Sequence, residues 1–143
     1  MRGRSFVCGI VSVCLLISGL TGCQKSDRAE LTKVRGEVKY QGKPVAQGIV
    51  VFYPETGRSA QGKIVDGQIT EVTTFEPNDG APAESMKVTV VSLEPAGTDP
   101  MAPRKSLVPS KYSSVETTDL TVDLLPGTEN DVLFELDGPL DSK

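Results

Sequence analysis

Between residues 34 and 137 apolar side chains recur at every second position in short runs, each closed by glycine, proline, asparagine or aspartate. Alternation of period two bounded by turn residues predicts strands with one face against a core. Seven such runs stand out. In Val34–Tyr40, Val34, Val38 and Tyr40 fall on one face and Arg35, Glu37 and Lys39 on the other, and Gln41-Gly42-Lys43-Pro44 then turns the chain. Residues 49–53 are apolar on both faces, which predicts a central or covered strand, and Pro54 ends it because proline cannot donate to a ladder. Residues 59–65 close on Asp66-Gly67, a hairpin-turn pair, and residues 69–75 follow. Residues 86–93 place Val88 and Val90 inward. Residues 120–125 and 131–137 surround Pro126-Gly127, so Leu120, Val122 and Leu124 are expected to face Val132, Phe134 and Leu136 across a hairpin. No segment carries a helical period of 3.6. The pattern predicts an all-β fold, a β-sandwich of about seven antiparallel strands. Two connections are long. Residues 76–85 hold Asn78-Asp79-Gly80 and two prolines, and residues 94–110 hold four of the ten prolines.

The N-terminus follows a different rule. Arg2 and Arg4 precede residues 6–20, an apolar run without a charged side chain. Fifteen residues are short of the about 20 that cross a bilayer, but they suit the core of a signal peptide. Leu20-Thr21-Gly22-Cys23 then resembles the bacterial lipobox: an aliphatic residue, two small residues and a cysteine. That resemblance implies a lipoprotein. Diacylglycerol is transferred to the Cys23 sulfur, the chain is cut before Cys23, and the new amino group is acylated, with palmitate among the attached chains. The expected organisation is a signal peptide over residues 1–22, acylated Cys23 with a polar tether over 23–33, a β-sandwich over 34–137 and a tail over 138–143. Two or more acyl chains anchor a protein stably without spanning the membrane. The sorting rule of such lipoproteins places a chain with Gln24 after the cysteine in the outer rather than the inner membrane.

Composition sharpens this reading. The 143 residues include 15 Lys+Arg, 19 Asp+Glu, three Cys, no His and no Trp. Without histidine, neither a Ser-His-Asp or Cys-His nucleophile nor a His-ligated zinc can be built. A formal charge of −4 disfavours nucleic acid as a partner. Cleavage before Cys23 would leave 121 residues and remove Arg2, Arg4, Cys8 and Cys14, giving 13 − 19 = −6. Cys23 is then spent on lipid, so stability must come from packing alone. An acidic body is repelled by anionic headgroups, which leaves the anchoring to the lipid.

Few side chains invite chemistry. Asn78-Asp79-Gly80 suggests calcium, but Glu76, Asn78 and Asp79 lack the alternate-position oxygens and distant Glu of a calcium loop, and we read them as a turn. Asp119, Asp123, Glu129 and Asp131 flank the last two runs, where charge protects strand edges against aggregation. One of Phe52 and Tyr53 must point outward, and residues 94–110 are expected to cover it. Arg104-Lys105 reads as a solvated basic spot. No catalytic, cofactor-binding or metal-ligating residue is assigned.

The chain also resembles a known family. Val34-Arg35-Gly36-Glu37-Val38, Gly42-Lys43-Pro44-Val45 and Ile49-Val50-Val51-Phe52 with Pro54-Glu55 are similar to the opening of the carboxypeptidase regulatory-like (transthyretin-like) domain of small bacterial lipoproteins. Residues 73–82, Met86-Lys87-Val88-Thr89-Val90, Pro109-Ser110-Lys111-Tyr112 and Phe134-Glu135-Leu136 continue the likeness, whereas Glu84-Ser85 stands where that family has a glycine. The resemblance implies an Ig-like or transthyretin-like sandwich with no catalytic residues of its own. The expected function is non-catalytic. The domain would be a binding, spacer or assembly module of the cell envelope, meeting an envelope protein or polysaccharide. The alternative is a ligand module for carbohydrate or calcium.

Overall fold

The computed structural model describes residues 30–99 and 101–141. The expected signal peptide, the lipobox residues Leu20, Thr21, Gly22 and Cys23, and most of the tether lie outside the described residues. The described residues form ten strands: β1 (Leu31–Thr32), β2 (Val34–Tyr40), β3 (Lys43–Pro44), β4 (Gln47–Tyr53), β5 (Ala60–Val65), β6 (Gln68–Thr73), β7 (Ala81–Pro82), β8 (Ser85–Val91), β9 (Thr121–Asp123) and β10 (Asn130–Leu136). Among the described residues one 3-10 turn, Ser110–Ser113, interrupts an otherwise all-β fold. All seven predicted runs form strands, and Val34–Tyr40 does so with the predicted ends.

The main sheet runs β10-β2-β6-β5-β4-β8-β9, with β3 paired to β2. β2 and β6 share only two register positions, Gly36 with Ile69 and Glu37 with Gln68, and there the sheet curls over. The curl brings the inner face of β4 against that of β10, where the Phe52 and Phe134 rings lie 6.4 Å apart at 49°. Val38, Val50, Val72, Val88, Val90, Ile64 and Leu136 complete the dry interior of a sandwich-like fold. The alternation legible in the sequence selects these residues: in β5, Ala60, Gly62 and Ile64 are buried while Gln61, Lys63 and Val65 face water.

Two expectations are corrected. The last two strands do not form a hairpin. β9 pairs antiparallel with β8, whereas β10 pairs parallel with β2 from Asn130 beside Val34 to Leu136 beside Tyr40. They are the two end strands of the sheet, and the β10–β2 pair departs from the otherwise antiparallel order. The connection between β9 and β10 is held elsewhere. The Asn130 side chain accepts from the Leu125 amide and donates to the Leu125 carbonyl, and Thr32 Oγ1 donates to the Thr128 carbonyl. A ladder closed by Pro126-Gly127 would have to break those bonds. The second correction concerns the tether, whose last residues join the fold. Leu31–Thr32 pairs with Ala81–Pro82, Ala83 N donates to the Glu30 carbonyl, and Thr32 is buried.

Gly80 makes that seam possible. Its φ is +104°, and a Cβ there would sit 2.1 Å from the Thr32 carbonyl oxygen. The long connection of residues 94–110 is divided by a bridge between Leu93 and Ser106, so residues 94–99 and 101–105 project into solvent while Val108 is buried.

Candidate functional site

A concavity of about 610 Å³ opens between the 3-10 turn and the C-terminal tail and is lined by Pro109, Ser113, Ser114, Thr117, Gly138 and Asp141 among others. Pro109 accepts the Tyr112 amide through its carbonyl and lets the chain coil tightly, so the Tyr112 ring turns inward and is 1% exposed. The Tyr112 hydroxyl lies 3.1 Å from Asp137 Oδ1 and accepts from the Asp137 amide at 3.1 Å. Lys111 lies over the Tyr112 ring at 4.5 Å and reaches Asp137 at 3.2 Å and Asp119 at 3.4 Å. Tyr112 first, and then Asp137 and Asp119, push the Lys111 pKa above its ordinary value. The same contacts, Lys111 first and Tyr112 second, hold the Asp137 carboxyl below the usual carboxylate range. A lysine kept protonated is a poor nucleophile, and an aspartate kept ionised is a poor general acid.

Three hydroxyls around this cleft are likewise committed. Ser113 donates to the Ser110 carbonyl, Thr117 to the Lys111 carbonyl and Ser114 to Glu116. Asp141 from the tail accepts the Ser110 amide at 2.8 Å. The arrangement fastens the tail and β10 to the turn that precedes β9.

The Asn78-Asp79-Gly80 loop is built as the sequence suggested. Asp79 accepts from the amides of Thr74 at 2.6 Å, Phe75 at 2.9 Å and Glu76 at 2.9 Å, and Asn78 takes the left-handed backbone at φ +58°. Burial raises the Asp79 pKa, but the donors from Thr74, Glu76 and Phe75 outweigh it and leave the carboxyl below its usual range. Its oxygens are therefore engaged in shaping the loop. Among the described residues no three His, Cys, Asp or Glu side chains converge as a metal site would require.

A depressed folded pKa gives stability that is present above the unfolded value, about 3.9, and is lost as pH falls through the folded one. Asp79→Asn, which keeps the shape and drops the charge, is expected to cost about 1–3 kcal/mol at neutral pH. That difference should shrink below about pH 4 as the wild-type carboxylate protonates. Urea unfolding at neutral and acid pH measures it, and a difference that does not change with pH would contradict this account.

The other candidates separate. Asp119 pairs with Lys111, Glu129 pairs with Arg35 at 2.6 Å, Asp123 ends β9 and Asp131 lies on β10, so the four acids belong to two different end strands. Phe52 points inward and is fully buried, and Tyr53 is the half-buried outward aromatic. The cover expected from residues 94–110 is not there. Tyr53 instead lines a groove with Pro54, Met86, Lys87, Val115 and Thr121, because Lys87 donates to the Val115 carbonyl and draws that segment across. Arg104 and Lys105 are exposed.

The latch through Tyr112 and Asp137 was not legible in the sequence. Its members are 25 residues apart, and the one available signal was a lone tyrosine in a stretch of serine, lysine and threonine. Comparison with protein-family models, with curated proteins and with solved structures found no match.

Proposed function

We propose that the protein is a non-catalytic, lipid-anchored β-sandwich of the extracytoplasmic face, serving the cell envelope as a binding, spacer or assembly module. The observation that carries this reading is Leu20-Thr21-Gly22-Cys23 directly after a charge-free apolar run. The resemblance to the carboxypeptidase regulatory-like domains of bacterial lipoproteins agrees with it, and Gln24 favours the outer membrane over the inner.

The geometry suits a spacer. The chain enters the fold at Glu30, at the end of the sandwich where β2, β8 and β10 begin. Seven residues join Cys23 to that point, a reach of at most about 25 Å. β8 then leads away from the entry, and seven strand residues carry the chain about 20 Å. Residues 94–99 and 101–105 thus project from the end opposite Glu30. The firm protonation of Lys111 and the committed oxygens of Asp79 and Asp137 support a scaffold rather than an enzyme. A calcium reading would need the Asp79 oxygens that three amides already occupy.

In cells fed labelled palmitate, the wild-type chain is expected to carry label and to sediment with membranes. Cys23→Ala should lose the label entirely and appear in the soluble fraction. Label retained by that variant would overturn the proposal.

A further inference from the structure

The curled sheet ends on β10, a seven-residue strand that among the described residues is paired on one side only. Asn130 N donates to the Lys33 carbonyl and Gln41 N to the Leu136 carbonyl, which fixes the parity of the parallel ladder. Residues 130, 132, 134 and 136 turn their amides and carbonyls to β2, and residues 131, 133 and 135 turn theirs away. The next residue of that outward set, Asp137, has its amide and carbonyl bonded by the Tyr112 hydroxyl. Asp131, Leu133 and Glu135 have no main-chain partner on that side among the described residues. An unpaired row of this kind is a template for another strand. No backbone feature blunts it: β10 contains no proline and no bulge, and Leu133, at its centre and on the wet face, is 58% exposed, so the charges of Asp131 and Glu135 are its one guard.

The flanking charges choose the occupant. Arg35 and Lys39 of β2 are engaged with Glu129 at 2.6 Å and Glu37 at 2.7 Å. Glu135 adds to the field that raises Lys39, yet neither Glu135 nor Asp131 has an ion pair among the described residues. The outer face of the edge therefore reads acid, leucine, acid. A second copy laid antiparallel and centred on Leu133 would set Asp131 against Glu135 of the other copy twice, and like charges directly opposite are destabilising.

We infer that β10 is a docking edge for an extended segment of another protein, one whose alternate residues are basic, apolar and basic opposite Asp131, Leu133 and Glu135. Up to three residues on each side would exchange main-chain hydrogen bonds, which supply affinity, while the two cations and the apolar residue supply register. The inference rests on reading the domain as a binding module and names the class of its partner. It does not depend on the lipid.

The probe is a labelled peptide, Thr-Lys-Thr-Val-Thr-Lys-Thr, titrated into the full chain in detergent micelles with anisotropy as the readout. Saturable binding is expected, with no binding by the same peptide carrying glutamate for lysine. Leu133→Pro removes one outward amide at a position where an edge strand tolerates proline, and it should weaken binding about tenfold or more. Asp131→Lys with Glu135→Lys, which leaves the ladder to β2 intact, should weaken it comparably. Equal binding by wild type and both variants would overturn the inference, as would no saturation at millimolar peptide or preference for the glutamate peptide. Self-association of the wild type that Leu133→Pro abolishes would also overturn it, by assigning the edge to a second copy. Palmitate labelling of Cys23 is read separately, so loss of the peptide result with label intact removes the partner and keeps the anchored module.

Discussion

Gly36→Ala is expected to destabilise the domain by about 3 kcal/mol or more, because β2 and β10 cannot remain paired around a side chain at that position. A Cβ on Gly36 would lie 2.0 Å from the Val132 carbonyl oxygen and 2.7 Å from a Val132 methyl. Both obstacles belong to the residue directly beside it in the parallel ladder. A carbonyl cannot rotate aside as a flexible side chain can, so the whole of β10 must lift. That movement drags Phe134 and Leu136 out of the core, where they are 4% and 1% exposed. Gly42→Ala is the control. Gly42 has φ +75° and nothing within 4 Å of an added Cβ, so it should lose only the about 1–2 kcal/mol of a left-handed backbone. Urea midpoints of the two variants measure the difference. Equal losses would mean that backbone conformation, and not the approach of β10, is what Gly36 serves.

That glycine also marks where sequence reading stops. Alternation located the strands, since each of the seven runs has one apolar face and a polar or covered one. Alternation states which way a side chain points and not which strand lies beside it. Leu120, Val122 and Leu124 and then Val132, Phe134 and Leu136 satisfied a hairpin on paper as well as they satisfy the real arrangement. The choice was made by groups distant in sequence: the bare Cα of Gly36, the Lys33 carbonyl that receives Asn130, and the Asn130 side chain that ties down Leu125. The Asp79 loop was legible because its asparagine and aspartate act on their own backbone within a few residues. The latch of Lys111, Tyr112 and Asp137 was not, because its geometry exists only after the sheet has curled.

Phe52→Ala is expected to cost about 3–5 kcal/mol, a large part of the total stability of a domain this size. Phe52 is fully buried on β4, between Ala60 of β5 and Val88 of β8 in the ladder. Small neighbours on either side leave its ring to fill the space down to Phe134. The cavity therefore opens between the two layers, and its cost adds to the lost burial. Tyr53→Ala, one residue along on the outer face and half-buried, should cost less than half as much. A double-mutant cycle with Phe134→Ala isolates the ring contact, expected at about 0.5–1.5 kcal/mol beyond area burial. The cycle has a further use, because Phe134 lies on β10 and the coupling reports how firmly the core holds the edge strand. Zero coupling would mean that the contact between the two rings adds nothing to holding β10 against the core. A greater loss for Tyr53→Ala than for Phe52→Ala would reverse the assignment of the two faces of β4.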